Sequence, residues 1–323
     1  TGVLHLVCGR NVTEPTLSYT EIRIGTRGSP LALAQAHETR RRLAAALAMA
    51  ADAIEIVTFR TSGDSITDRP LAEAGGKGLF TKEIDEALLA GAVDIAVHSA
   101  KDMPTVLPEG TVIAAALPRE DTRDALVSRV ASRLTELPQG AVLGTSSLRR
   151  RAMALRLRPD LRIVDMRGNV ETRIRKLDAG VADATILAMA GLRRLGLQER
   201  AGSPIEEAGW LPAVAQGTIA IAARSNDHAN RERLSLIDDL PTAIALEAER
   251  AFLAVLDGSC RTPIGGLATI DGKTLTIRGI IVRPDGSAAH ESVHSGPRAD
   301  AARLGRELGA ELRIAGGPSF FEA

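Results

Sequence analysis

The chain has 323 residues, with 40 Lys plus Arg balanced by 40 Asp plus Glu, 45% hydrophobic residues and 25% charged. That length allows two or three domains with a sizeable core, and zero net charge removes whole-molecule charge as an argument for nucleic acid or an anionic membrane. Two cysteines, Cys8 and Cys260, are too few for a disulfide scaffold or a four-cysteine zinc site, and no apolar run approaches the ~20 residues of a membrane span.

Residues 1–20 read as a loose tail. Their apolar stretch is short and their positive charge follows it, unlike a secretory signal, so a soluble cytoplasmic protein is expected. Glu21 to Gly25 reads as a strand. Ser29 then supplies a natural N-cap and Pro30 a first helical residue for a helix to about Met49. Ile54 to Arg60 alternates as a strand. Thr61 to Phe80, rich in Gly, Asp, Ser and Thr, reads largely as a loop. A helix over Thr81 to Ala90 stops at Gly91, and Val93 to His98 reads as a buried strand that delivers Ser99-Ala-Lys101-Asp102-Met-Pro104.

A second unit echoes the first. Ala141 to Thr145 runs through Ser146-Ser147 into a helix to about Arg158, and Ala179-Gly-Val-Ala-Asp183 repeats Ala90-Gly-Ala-Val-Asp94. The alternation predicts an α/β fold: two lobes with mainly parallel sheets covered on both faces, helix N-termini aimed at a shared cleft. Beyond Pro241 the pattern changes to a helix over Thr242–Leu256, a hairpin over Thr269–Arg278 turning at Asp271-Gly272, a continuing strand to Val282 and a helix over Ala299–Leu312. This is a small α+β domain, with Cys260 in a Gly-Ser turn as an accessible thiol.

The five lysines leave 35 arginines. Thirteen basic and six acidic residues lie between Thr145 and Arg200, so the acids that neutralise this window lie elsewhere in the chain. Arg27, Arg149, Arg150 and Arg167 fall at strand-to-helix junctions, where free N–H groups and the helix dipole already favour anions. A polyanion site follows, carboxylate or phosphate. Gly75-Gly-Lys-Gly78 lacks the Walker spacing, and aromatics at 2% are too few for single-strand stacking. His98 reads as a satisfied core residue, and no histidine–carboxylate cluster suggests a metal. Asp102, just past a strand end beside Lys101, reads as a catalytic carboxylate or as a loop cap or ion pair.

Seven motifs stand in order: Thr26-Arg-Gly-Ser-Pro-Leu-Ala-Leu33, Gly75-Gly-Lys-Gly-Leu-Phe80, Val97-His-Ser-Ala-Lys-Asp-Met-Pro104, Gly144-Thr-Ser-Ser-Leu-Arg-Arg150, Arg167-Gly-Asn-Val170, Leu187-Ala-Met-Ala-Gly-Leu192 and Gly258-Ser-Cys-Arg-Thr-Pro-Ile-Gly265. Together, over Ile22 to Pro284, they resemble the porphobilinogen deaminase (hydroxymethylbilane synthase) family. The resemblance implies two lobes like type 2 periplasmic binding proteins, residues 21–117 plus 217–236 and residues 118–216, with a C-terminal α+β domain over 237–323. It implies a transferase of porphyrin and heme biosynthesis that joins four porphobilinogen molecules head to tail with loss of ammonia, on a dipyrromethane cofactor attached by thioether to Cys260. It further implies a cytoplasmic monomer with a small-molecule substrate and no nucleic-acid or membrane partner. Asp102 matches the family's catalytic aspartate. Arg27, Arg149, Arg150, Arg167, Arg173 and Arg194 match carboxylate-binding positions, assisted by Ser29, Lys101, Thr145 and Ser147, with Lys77 and Phe80 in an active-site loop. Gly28, Glu73, Ala215 and Ser259 depart from the pattern. A catalytically silent solute-binding or sensor module on the same architecture is the competing expectation.

Overall fold

The computed structural model describes residues 22–65, 78–206, 208–256 and 263–320. Three sheets organise them. The first lobe contains β1 (Ile22–Arg27), α1 (Pro30–Ala46), β2 (Ile54–Phe59), the single turn α2 (Ser62–Ser65), α3 (Lys82–Leu89), β3 (Ile95–Ser99) and β4 (Thr111–Ala116). The chain then crosses to β5 (Asp124–Ser128), β6 (Val142–Gly144), α4 (Leu148–Leu157), β7 (Arg162–Val164), α5 (Val170–Asp178), β8 (Ala184–Ala188) and α6 (Met189–Arg194). It returns to the first sheet as β9 (Ile219–Arg224), followed by α7 (His228–Ser235). The C-terminal unit is α8 (Leu240–Val255), β10 (Ile264–Asp271), β11 (Thr274–Val282), β12 (Ala289–Pro297) and α9 (Ala301–Gly316).

Strand order is β2-β1-β3-β9-β4 in the first lobe and β5-β8-β6-β7 in the second. Read from the other edge, the second sheet is β7-β6-β8-β5, the same topology as β2-β1-β3-β9. The first lobe has two parallel pairings followed by two antiparallel ones, the second lobe two parallel and one antiparallel. The sheets are therefore mixed rather than mainly parallel. The reason is connectivity: β9 enters its sheet from the other lobe, with no crossover helix to turn it parallel. The repeated Gly-x-x-Asp motif recurs structurally as well. Asp94 Oδ2 accepts from Arg23 N at 2.8 Å and Asp183 Oδ2 from Val142 N at 2.7 Å, so each aspartate fastens the start of the corresponding parallel strand.

Local chemistry explains the helix starts that face the cleft. Ser29 Oγ accepts from Ala32 N ahead of Pro30, Ser147 Oγ from Arg150 N, and Asn169 Oδ1 from Thr172 N. Each such cap is worth ~1 kcal/mol. The strands are covered on both faces: Ile24, Ile95 and Ile221 are buried in one core layer, Ala96, Ala220 and Ala222 in another. In the C-terminal unit the antiparallel β10-β11-β12 sheet packs on α8 and α9. These helices approach so closely that a Cβ on Gly305 would stand 2.1 Å from the Ala248 carbonyl oxygen. The hairpin turns at Gly272-Lys273, one residue beyond the expected position, because Asp271 still pairs with Thr274.

The two crossings between lobes run side by side, Glu120 N donating to Gly217 O at 3.2 Å. Glu249 of α8, fully buried, fastens them to the third unit. It takes Arg119 Nη1 at 2.6 Å and Nη2 at 3.0 Å, Ala215 N at 2.5 Å and Ala268 N at 2.7 Å. Ala215, the residue standing where glycine was expected, holds φ +64° in the left-handed region. An L side chain there costs ~1–2 kcal/mol, against ~0.5–1 kcal/mol of extra unfolded-state freedom for glycine. Ala215→Gly is accordingly expected to stabilise the protein by ~0.5–1 kcal/mol, read as a higher urea midpoint at unchanged m; a lower midpoint would contradict a strained return.

Candidate active site

The cleft lies where the carboxyl ends of β1 and β3 meet the starts of α4 and α5. On the first-lobe side a small pocket, partly open to solvent, is lined by Arg27, Ser29, Leu31, Ala32, Gln35, Phe80, Thr81, Val97, His98, Ser99 and Asp102. Four of the expected site residues, Arg27, Ser29, Phe80 and Asp102, thus share one wall. The Arg27 guanidinium sits 4.4 Å from the centroid of the Phe80 ring, a cation–π contact. Gln35 and Ser99, which the sequence reading passed over, exchange side-chain hydrogen bonds at 2.8 and 3.1 Å and brace α1 against β3.

Lys101 and Asp102 occupy a 3-10 turn immediately after β3, both exposed to the cleft. Lys101 Nζ donates to Gln216 Oε1 at 3.2 Å. Lys101 meets solvent on one side, but its ammonium stands between the lobes. Desolvation there and then the Arg150 cation lower it to about 8, against the pull of Asp102 and Asp124. Facing it, Arg173 of α5 donates through Nε to Gly168 O at 2.8 Å. Arg173 has no carboxylate within ion-pair distance among the described residues. Desolvation and the neighbouring Arg150 lower it to about 10, while Asp102 and Asp165 act in the opposite sense. Asp102 and Arg173 therefore face each other from different lobes. A partly buried guanidinium lacking a carboxylate is suited to an acidic ligand.

Arg149 and Arg150 are placed differently from the expectation. Both are buried, and the carboxylate they hold is Asp124: Arg149 Nη2 at 2.8 Å, Arg150 Nη2 at 2.7 Å and Nε at 3.2 Å. Trp210 Nε1 at 3.1 Å and Gln216 Nε2 at 3.0 Å complete the cluster. Burial alone would push the Asp124 carboxyl up; the two guanidiniums overcome it and hold the group far below the ordinary carboxylate range. Arg194 also has an internal partner. It donates to Gly217 O at 3.0 Å and pairs with Glu38 of α1 at 3.6 Å, strapping α6 to the first lobe.

Thr145 is buried and accepts from Ser147 N at 3.2 Å, while the Ser146 hydroxyl between them is buried without a partner. The Arg167 carbonyl accepts from Lys176 Nζ at 3.0 Å, and its neighbour Gly168, at φ +123°, makes the turn into α5. His98 is buried as expected, but it is not satisfied: Nε2 has no hydrogen-bond partner. Lys77 and Cys260, with Cys8, Glu73, Ser259 and residues 1–20, lie outside the described residues.

Residues 22–232 match the family model described as "Porphobilinogen deaminase, dipyromethane cofactor binding domain", and residues 243–313 match "Porphobilinogen deaminase, C-terminal domain". The chain belongs to the porphobilinogen deaminase family. Curated relatives of that name include one from Nitrobacter hamburgensis, 58% identical over 298 residues that cover 92% of this chain and 94% of the relative. Another, from Paracoccus denitrificans, is 58% identical over 301 residues, 93% and 96% of the two chains. The solved structure of a periplasmic substrate-binding protein of an ABC transporter from Coxiella burnetii overlaps 69% of this chain and 94% of its own, at TM-score 0.41 and 18% identity.

A dipyrromethane carries acetate and propionate groups on both rings, so the residues present can be tested against it. Arg173 has no carboxylate partner among the described residues, and Ser146 offers a buried hydroxyl with none. Asp102, across the cleft from Arg173, is a carboxylate that could accept from N–H donors. This donor set fits the cofactor named by the family model.

Asp124→Asn leaves Arg149 and Arg150 without their buried counterion, and is expected to cost ~3–5 kcal/mol in urea unfolding at pH 7. The folded-state pKa of Asp124 lies below its unfolded value of ~3.9. Its contribution is therefore present in full above that pH and is lost progressively as pH falls from there through the lower folded-state value, a component the variant lacks. Equal stability of both proteins at pH 7 would contradict the clamp.

Proposed function

We propose that this chain catalyses the stepwise head-to-tail condensation of four porphobilinogen molecules, releasing ammonia and giving hydroxymethylbilane on a dipyrromethane primer held through a thioether at Cys260. Membership of the porphobilinogen deaminase family over both matched segments carries the reading, and disfavours a catalytically silent binder. The geometry agrees with it: Asp102, the carboxylate among the described residues lining the pocket, faces Arg173 of the second lobe.

When bound, the cofactor supplies the pyrrole carbon on which the product grows. This chain's residues do the rest. Arg173 and Arg27, with Lys101, are proposed to receive substrate carboxylates, while Phe80 packs on a pyrrole ring. Loss of ammonia from the substrate's aminomethyl group leaves positive charge spread over a pyrrole. Asp102 at the pyrrole N–H stabilises that charge, and in its acid form protonates the departing amine. Arg149 and Arg150 act chiefly by shaping the wall, since Asp124 already occupies them. The division into residues 21–117 plus 217–236, 118–216 and 237–323 belongs to the same reading, supported by the three separate sheets. So does a cytoplasmic monomer, which rests on family membership alone.

Asp102→Asn is expected to lower kcat ~10²–10⁴-fold with unchanged circular dichroism; near-normal turnover would remove Asp102 from the chemistry. Intact mass of protein from a porphobilinogen-producing host should show an increment of two pyrrole units that Cys260→Ser lacks. Bare wild-type polypeptide would overturn the attachment. Because Lys101 loses its proton near pH 8, KM for porphobilinogen should rise as pH rises through about 8, and Lys101→Gln should flatten that rise. A KM independent of pH in the wild-type protein would contradict the Lys101 contact.

A further inference from the structure

We infer that Asp85 and His98 form a buried positioning pair that ties the strand delivering Asp102 to the helix following Phe80, the carboxylate selecting one tautomer of the imidazole at the pocket's inner wall. The inference rests on the proposed reaction for its catalytic consequence, though not for the pairing itself.

His98 is the second-last residue of β3, four residues before Asp102, and its ring lines the pocket with Arg27, Ser29 and Asp102. Asp85 lies on α3, one turn beyond Thr81. Both side chains are sealed from solvent, at 3% and 8% exposure, and His98 Nε2 stands 3.9 Å from Asp85 Oδ1. That separation exceeds a hydrogen bond but leaves the two polar atoms close to each other with almost no access to solvent. Apolar side chains could fill the same space without the desolvation cost, so plain packing does not account for the pair.

Among the described residues, three charged groups stand near the ring. Arg27 approaches from β1, Asp85 from α3, and Asp102 stands just beyond the end of β3. Burial and then Arg27 push His98 down to about 4, so the ring is neutral at physiological pH. Burial pushes the Asp85 carboxyl up. A neutral imidazole has one donor and one acceptor nitrogen. With hydrogen on Nε2 the donor points at the carboxylate; with hydrogen on Nδ1 a lone pair opposes the Asp85 oxygen. The first arrangement wins electrostatically. It leaves Nδ1 as an acceptor in the ring that lines the pocket. The same attraction registers β3 against α3, and so holds the turn carrying Asp102 relative to Phe80.

The test uses the full-length cofactor-loaded protein. Nitrogen-15 NMR of the imidazoles, with His98 assigned by comparison with His98→Asn, is expected to show a single Nε2–H tautomer. Asp85→Leu should shift His98 toward the Nδ1–H form and lower kcat about tenfold or more, KM staying within about twofold, since misplacement of a reacting group acts on the rate. Asp85→Glu keeps a carboxylate and should retain the tautomer and most of the rate. A wild-type His98 in the Nδ1–H form overturns the inference without recourse to any variant. So does an Asp85→Leu protein that keeps the Nε2–H tautomer or the wild-type kcat. Absence of turnover by the wild-type protein would tell against the proposed reaction, while the tautomer still decides the pairing.

Discussion

One buried charge, Asp124, organises the region where the lobes meet. It takes two guanidiniums from α4, the indole N–H of Trp210 from the return segment, and the amide of Gln216 from the second crossing. Removing a carboxylate from water costs several kcal/mol, and only a full set of donors repays that cost. The donors come from three stretches of chain, so the charge is satisfied only when all three are in register. Gln216 passes the constraint on, since its side-chain oxygen Oε1 accepts from Lys101 beside Asp102. A charge in the second lobe thereby helps set the geometry of the first-lobe turn.

The C-terminal unit repeats this principle at the hinge. Glu249 binds Arg119 from the outgoing crossing, Ala215 from the return and Ala268 from β10. The left-handed Ala215 is tolerated because its N–H is held there. Around these two anchors stand lobes of matching topology, each starting a parallel strand under an aspartate. Both present capped helix N-termini toward the cleft. The arrangement leaves Asp102 and Arg173 facing each other, which suits a substrate that is acidic at its edges and develops positive charge at its reacting carbon.

Much of the fold was legible in the sequence because its signals are local. Ser29-Pro30 and Ser147 cap helices where expected, and the echo of Asp94 and Asp183 reflects a repeat in the hydrogen bonding itself. β4, β5, β7, β9 and β12 were missed; β4, β5 and β9 flank the crossings, where nothing local shows which sheet a short strand joins. In the site, Arg27, Ser29 and Asp102 converge as their positions at strand ends and a helix start suggested, and Phe80 joins them as the family resemblance implied. Arg149, Arg150 and Arg194 show the limit: an arginine's position at a helix start does not reveal whether its carboxylate belongs to a ligand or to the protein. The acid-poor stretch from Thr145 to Arg200 did signal that its counter-charges lay elsewhere, and Asp124 is one of them.

The sequence alone determined the alternation of strands and helices, the capped junctions, the ordered motifs and the candidacy of Asp102, all of which depend on residues within a turn or two of one another. Only the tertiary structure decided which arginines are already paired, that β9 runs antiparallel, that Glu249 closes the hinge and that His98 faces Asp85. Those outcomes join residues from 13 to 130 positions apart, and a charge finds its partner only after the chain has brought the two into the same low-dielectric space.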